Sequence, residues 1–313
     1  MLYISGYIFI ANDMIKRNSL FICAIVAIFS CSFSNASGQQ TLRQQIADIA
    51  GNISGKVGVY ARVLETNDTV SFNRDEKFPM QSVYKFPVAM AMLKQVDAGK
   101  FRIDQPIKIL KSYLTTDGHS PIREKYPHGN VSLTLRELLD YNIRESDGSA
   151  CDILFKLMGG PAKVNAYVQG LGVKQINIAT TEQAQVQRNE PATQYKNWST
   201  PLAMTQLLEK FYTMPILSDS SRSYLLYLMS HSGPGAKRLK GLLPAGTVVA
   251  HKTGTSWTVE GITAAHNDIG VITLPNGNHI AVTVFVSDAR ATEEERDATI
   301  AKIAKAVWDA YAH

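Results

Sequence analysis

The chain is poor in cysteine, with three among 313 residues. Cys23 and Cys31 lie in or near an apolar stretch at the amino terminus, so a processed chain would keep only Cys151. A single thiol closes no internal disulfide, and stability then has to come from packing. Cys151 stands among Ala150, Ile153 and Leu154, which reads as a buried, inert thiol. The apolar run from Leu20 to Phe29 is too short to span a bilayer comfortably. Dense runs of basic charge are missing. The net charge of +5 comes from lysines and arginines scattered among acids, which speaks against a nucleic-acid footprint and leaves only a mild attraction for anionic small molecules. No group of residues has convincing metal-ligand spacing, so no metal and no other cofactor is expected. There is no internal repeat, low-complexity tract or flexible interdomain linker. The length and a hydrophobic content of 45% suit one large domain or two modest ones with ample core.

What is present begins with an export signal. Lys16 and Arg17 form a positive region, Leu20–Phe29 an apolar one, and Ser34-Asn35-Ala36 a small-residue cleavage site, with Ser37-Gly38 as a second option. Met14 is an alternative start. Residues 1–38 are thus expected to be a signal peptide and the mature protein to be periplasmic. An uncleaved anchor, a buried helix and a lipoprotein processed at Cys31 are the alternatives, and Phe29 fits the last poorly.

Residues 39–313 read as a single α+β unit. Thr41–Ala50 is an amphipathic helix. Strand character appears at Gly58–Leu64, Thr69–Phe72, Thr247–Thr255, Ile269–Leu274 and His279–Val286. Pro275-Asn276-Gly277-Asn278 is a strong hairpin turn between the last two. Helical periods dominate from Ser82 to about Tyr227, with loops at Thr115–Pro121 and Glu182–Pro201, and Glu293–Tyr311 closes the chain as a helix. One five-stranded antiparallel sheet, built from about 39–80 and 230–313 and flanked by the terminal helices, is expected beside an all-helical lobe of about 81–229. A cleft between lobes is a usual place for a small-molecule site.

Three short segments carry the chemistry. Ser82-Val83-Tyr84-Lys85 follows Phe78-Pro79-Met80-Gln81 and precedes an apolar run, so it reads as the start of a helix. Positions i and i+3 share a helix face, which brings the Lys85 ammonium within reach of the Ser82 hydroxyl. A serine becomes a nucleophile only when a group takes its proton, and a lysine with a depressed pKa can do so. Taken alone, the segment is also consistent with a helix cap and a solvated lysine. Ser146-Asp147-Gly148 is a turn that offers a second hydroxyl. His251-Lys252-Thr253-Gly254-Thr255 ends a strand. There Lys252 can hold a carboxylate, Gly254 permits close backbone approach, and the N–H of Thr255 can donate to an oxyanion.

Together, in this order and on these elements, the three segments resemble the serine β-lactamase and penicillin-binding-protein superfamily. The resemblance extends to Ala150-Cys151-Asp152-Ile153-Leu154, Asn197-Trp198-Ser199-Thr200-Pro201, Leu239–Pro244 and Asn267-Asp268. It is strongest to class A enzymes, and among them to the extended-spectrum cephalosporin-hydrolysing branch. It implies the β-lactamase/transpeptidase-like fold, β-lactam antibiotics as small-molecule partners, and a monomer without stable membrane insertion. It also implies a covalent mechanism. Ser82 attacks the lactam carbonyl, and Lys85, or Glu182 through a water, removes its proton. Ser146 protonates the leaving nitrogen, and Glu182, on an omega-shaped loop, activates the water that frees the acyl group. Lys252, with Thr253 and Thr255, holds the substrate carboxylate. Arg238 stands where relatives place an arginine behind that site, and His119 where they often have an aromatic at the cleft mouth. Two positions depart from the pattern. Gly148 replaces a usual asparagine that contacts the substrate amide and the catalytic lysine, and Val186 replaces an asparagine that helps hold the hydrolytic water. A weaker enzyme, slow at deacylation, is expected. The alternatives are a D-alanyl-D-alanine peptidase, which typically lacks the loop glutamate, and a slow-deacylating covalent β-lactam binder.

Overall fold

The expected strands pair into one antiparallel sheet. In the computed structural model, which describes residues 41–186 and 190–313, these are Lys56–Val63 (β1), Thr69–Phe72 (β2), Val249–Thr255 (β3), His266–Thr273 (β4) and His279–Ser287 (β5). Their spatial order is β2-β1-β5-β4-β3, so strands from the two ends of the chain meet at β1 and β5, and β3 forms an edge. Gly277, at φ 86°, turns the β4–β5 hairpin, which Leu274 N–H closes on Asn278 O at 2.8 Å. The signal-peptide reading of residues 1–38 lies outside the described residues.

The central strands are buried on both faces. Side chains alternate along a strand, so the two faces can be separated by register. Thr283 lies opposite Ile269 and hydrogen-bonds to Thr205 of helix Pro201–Thr213, whereas His266, of opposite parity, contacts Asp297 of helix Glu293–Tyr311. These two helices therefore cover opposite faces. Thr292 caps the second in a reciprocal box with Glu295, a start signal legible in the residues themselves.

Residues 45–313 form one compact unit. Its middle is organised around helix Lys85–Asp97 (α1), in which every residue from Lys85 to Leu93 is buried. Helices Leu135–Ile143 (α2), Gly148–Met158 (α3), Pro161–Gly170 (α4) and Asp219–Ser230 (α5) pack around it. This region also carries a two-stranded ribbon, Pro106–Leu110 with Gly129–Thr134, where Ile107 and Ile109 lie opposite Leu133 and Val131. Period-two alternation over five or six residues makes that ribbon, a shorter signal than the surrounding helical periods. Among the described residues no helix is long and apolar enough to cross a membrane.

Candidate active site

Ser82 lies on a 3-10 turn, Gln81–Tyr84, that runs into α1, one turn ahead of the α-helix expected there. The turn is tightly held. Met80 N–H donates to Asn197 O at 2.9 Å, and Asn267 Nδ2 donates to Pro79 O at 2.8 Å. Gln81 enters at φ 48°, in the left-handed region, with its amide donating to Gln194 O at 3.0 Å. Strand β3 presses against the same turn at Gly254. A Cβ there would lie 2.3 Å from Met80 O and 3.1 Å from Ser82 N, so only glycine permits this approach. The approach brings the edge of β3 beside the N–H of Ser82.

Three polar side chains converge on this turn. Lys85 Nζ donates to Ser82 Oγ at 2.9 Å and to Ser146 O at 2.6 Å, and lies 3.4 Å from Glu182 Oε1. Ser146 has φ 55°, a strained conformation for a residue with a side chain, and its Oγ accepts from Lys252 Nζ at 2.8 Å. Asp147 caps α3 through Ala150 N–H and also takes Ile122 N–H, each at 2.7 Å, which anchors the Ser146 turn. Lys252 is fully buried. Burial, and after it the charge of Lys85, push its pKa well below the usual lysine range.

Glu182 opens a short helix, Glu182–Gln185, after the cap Thr181. Asp152 on α3 holds that helix start, taking the N–H of Glu182 at 2.7 Å and of Gln183 at 2.8 Å. Burial, and with it the nearby charge of Glu182, lift the Asp152 carboxyl to about 7 against its two N–H donors. At the loop neck, Asn197 Oδ1 takes the N–H groups of Ala179 and Thr180. Residues 187–189 of the loop lie outside the described residues.

Arg238 is buried, although it is flanked by Lys237. Its guanidinium donates to Asp297 at 3.0 Å, to Asn267 O at 2.9 Å and to Thr255 Oγ1 at 2.7 Å. Asp297 also meets His266 Nε2 at 2.7 Å, and burial lowers the His266 pKa despite that contact. Thr253 is buried and Thr255 is exposed at the free end of β3. His119 is exposed, its ring on Glu145 O at 2.8 Å and its backbone oxygen accepting from Gly148 N–H at 2.9 Å. A Cβ at Gly148 would lie 3.4 Å from Glu182 Oε2. Val186 points elsewhere, into contact with Gly118.

The fold thus gathers Ser82, Lys85, Ser146, Glu182 and Lys252 around one point, with Gly148 and His119 on one side and Thr253, Thr255 and Arg238 on the other. Several supporting residues carry no role in the sequence reading. Asp152 and Asn197 stand inside segments that the family pattern covers, and an acid within Cys151–Leu154 was a usable signal for a buried anchor. The His266–Asp297 pair and the His251–Asp268 contact at 2.9 Å had no such signal, because each joins distant segments.

Cys151 is buried, and burial raises its thiol pKa well above the usual value, in keeping with the inert reading.

Comparison with known proteins identifies the family. The model of the β-lactamase enzyme family matches residues 41–311. The chain is 39% identical to β-lactamase VEB-1 of Pseudomonas aeruginosa over 95% of its own length and 98% of that protein. It is 38% identical to the extended-spectrum β-lactamase PER-1 of Pseudomonas aeruginosa, over 88% of its length and 89% of that protein. The crystal structure of a β-lactamase from Chitinophaga pinensis superimposes with a TM-score of 0.83 at 48% identity, covering 86% of this chain and 99% of that one. The chain therefore belongs to the β-lactamase enzyme family, in its class A, whose reaction is hydrolysis of the β-lactam amide bond.

Proposed function

We propose that this chain performs the reaction through an acyl-enzyme on Ser82. The observation that carries the reading is the position of Lys85 Nζ, 2.9 Å from Ser82 Oγ and 3.4 Å from Glu182 Oε1. Lys85 passes a proton to Glu182 and takes the one on Ser82, whose oxygen then bonds to the lactam carbonyl carbon. The N–H groups of Ser82 and Thr255 hold the oxyanion, at a few kcal/mol per donor. As the C–N bond breaks, Ser146 gives its proton to the lactam nitrogen and takes one from the Lys85 ammonium, and Glu182 returns its proton to the Lys85 amine so formed. Water then attacks the ester, Glu182 takes the water proton, and that proton ends on the departing Ser82 oxygen. The basic groups of Lys252 and Arg238, with the hydroxyls of Thr253 and Thr255, suit the substrate carboxylate, with Gly148 and His119 flanking the substrate amide side.

The test mixes purified protein with a chromogenic cephalosporin and follows product beyond one equivalent. Sustained turnover is expected, and Glu182→Gln, which takes a proton neither from Lys85 nor from water, should slow acylation and stop deacylation, so that no more than one equivalent of product forms and Ser82 is left acylated. Persistent turnover in that variant would remove Glu182 from the mechanism. The relatives that bear an extended-spectrum name support a preference extending to such cephalosporins, tested by comparing kcat/KM across penicillins and cephalosporins. The amino-terminal pattern supports export by a signal peptide over residues 1–38 and a periplasmic monomer of one α/β lobe and one helical lobe. Cell fractionation, amino-terminal sequencing and sedimentation test these points.

A further inference from the structure

The segment Ser82-Val83-Tyr84-Lys85 contains a third polar side chain that the mechanism above does not use. Tyr84 is fully buried, yet its phenol reaches Glu182 Oε1 at 2.5 Å. The direction of that bond is set by a second partner. Gln185 Nε2 donates to the phenol oxygen at 2.8 Å, so the phenol's own proton is directed at the carboxylate. Burial raises the Tyr84 pKa well above the usual value, with the Glu182 charge adding to it, so the phenol keeps its proton and remains a donor.

The two oxygens of Glu182 are consequently unlike. Oε1 receives Tyr84 and lies 3.4 Å from the Lys85 ammonium. Oε2 lies on the Gly148 side, where a Cβ would fall 3.4 Å from it. Val186, turned against Gly118, offers no polar group for the carboxylate or a water. The charged and titratable groups around Glu182 are Tyr84 and Lys85 from the turn and α1, Cys151 and Asp152 from α3, and Lys252 from β3. Of these, Tyr84 and Lys85 bear on Oε1, and Asp152 is occupied with backbone N–H groups.

We propose that Tyr84 is a positioning residue for deacylation: it holds Glu182 Oε1 so that Oε2, on the Gly148 side, is the oxygen that takes the proton of the hydrolytic water. The proposal rests on Glu182 as the deacylation base. It gives this chain a second means of orienting the carboxylate and water at a site where Gly148 and Val186 supply none. The phenol also ties the short Glu182–Gln185 helix to the nucleophile turn, so the base and the nucleophile are held by one side chain.

Tyr84→Phe removes one oxygen and keeps the ring against Phe155, with which it stacks at 5.9 Å. Steady-state turnover of a chromogenic cephalosporin, single-turnover acylation and intact-mass detection of acyl-enzyme separate the steps. Deacylation should slow by about tenfold or more, as expected when a hydrogen bond to a charged group is lost, with acyl-enzyme accumulating and acylation slowed less. Slowed deacylation with acylation less affected is a split that a general loss of structure would not give. Placing 3,5-difluorotyrosine at position 84, a stronger donor of nearly the same shape, should keep deacylation at or above the parent rate. In a Glu182→Gln background Tyr84→Phe should add no further slowing. Wild-type deacylation in Tyr84→Phe, with Glu182→Gln still trapping the acyl-enzyme, would overturn the role of Tyr84 alone. Free turnover in Glu182→Gln would overturn the underlying reading instead.

Discussion

Gly148 shapes the surroundings of Glu182 by having no side chain. It begins α3, and a Cβ there would lie 3.3 Å from His119 O and 3.4 Å from Glu182 Oε2. Both distances are tight but can be relieved by small shifts, so Gly148→Ala should fold normally and crowd only the carboxylate. We expect deacylation to slow by about tenfold, because sub-ångström misplacement of a base is costly, with little change in thermal midpoint. Stopped-flow acylation and steady-state kcat measured together test this, and an unchanged kcat would show that the space beside Oε2 is not used. Arg238 makes a second argument at this scale. Its removal leaves Asp297 with His266 as its remaining partner in that cluster. Arg238→Met should cost about 3 kcal/mol, the usual order for breaking a buried ion pair. It should also raise KM more than it lowers kcat. Burial first, and the neighbouring Arg238 charge as well, depress the His266 pKa. With that cation gone, the His266 pKa rises, and an imidazolium can pair with Asp297. The stability loss should therefore be smaller at acidic than at neutral pH, a difference that denaturant melts at two pH values would register.

Between elements, the decisive contact is edge strand β3 against the 3-10 turn. Gly254 abuts Met80 O, Val83 N and Ser82 N, all of them backbone atoms that no rotamer change can move aside. Gly254→Ala must push the strand off the turn. It should cost roughly 1–3 kcal/mol by overpacking, visible as a lowered thermal midpoint. It should lower the acylation rate more than deacylation, because the N–H groups of Ser82 and Thr255 lose their common focus. A variant with wild-type acylation would mean that the two backbones are not held together by this contact. Strand β4 supports the same junction through three consecutive residues. His266 meets Asp297, Asn267 holds Pro79 O and Val286 N–H, and Asp268 meets His251 and Leu239 N–H.

For the molecule as a whole, one anchor couples fold stability to pH. The Asp152 carboxyl sits at about 7 in the folded chain, raised by burial and then by Glu182, against an ordinary value of 3.8. Between those values the folded state holds a proton that the unfolded state has lost. The contribution of this group to stability is therefore greatest below about pH 4 and declines as pH rises to about 7, by at most about 1.4 kcal/mol per pH unit. Asp152→Asn should flatten that part of the stability profile, measured by urea unfolding from pH 5 to pH 8. Equal slopes in variant and parent would exclude Asp152 as the titrating group.

Much of this architecture was legible in the residues. Strand alternation and the Gly277 turn are local signals, and each acts within a few residues of itself. Of the five polar groups of the site, Ser82 and Lys85 were legible as one helical turn apart, whereas Ser146, Glu182 and Lys252 were picked out by the resemblance of their segments to the family. The ribbon at Pro106–Leu110 and Gly129–Thr134 was not, because neither strand is long enough to outweigh the helical periods around it. Nor was the partner of Tyr84, since Glu182 lies 98 residues away and a tyrosine in an apolar run looks like core packing. Burial of Arg238 was decided by Asp297 and Thr255, which approach it from a helix and a strand distant in the chain. Composition and local order thus determined which chemical groups this protein owns and which segments bear them. Only the packing of the sheet edge against the nucleophile turn, and of the Glu182 loop against α3, decided which groups touch, because hydrogen bonds between remote segments depend on tertiary distance and leave no periodicity in the chain.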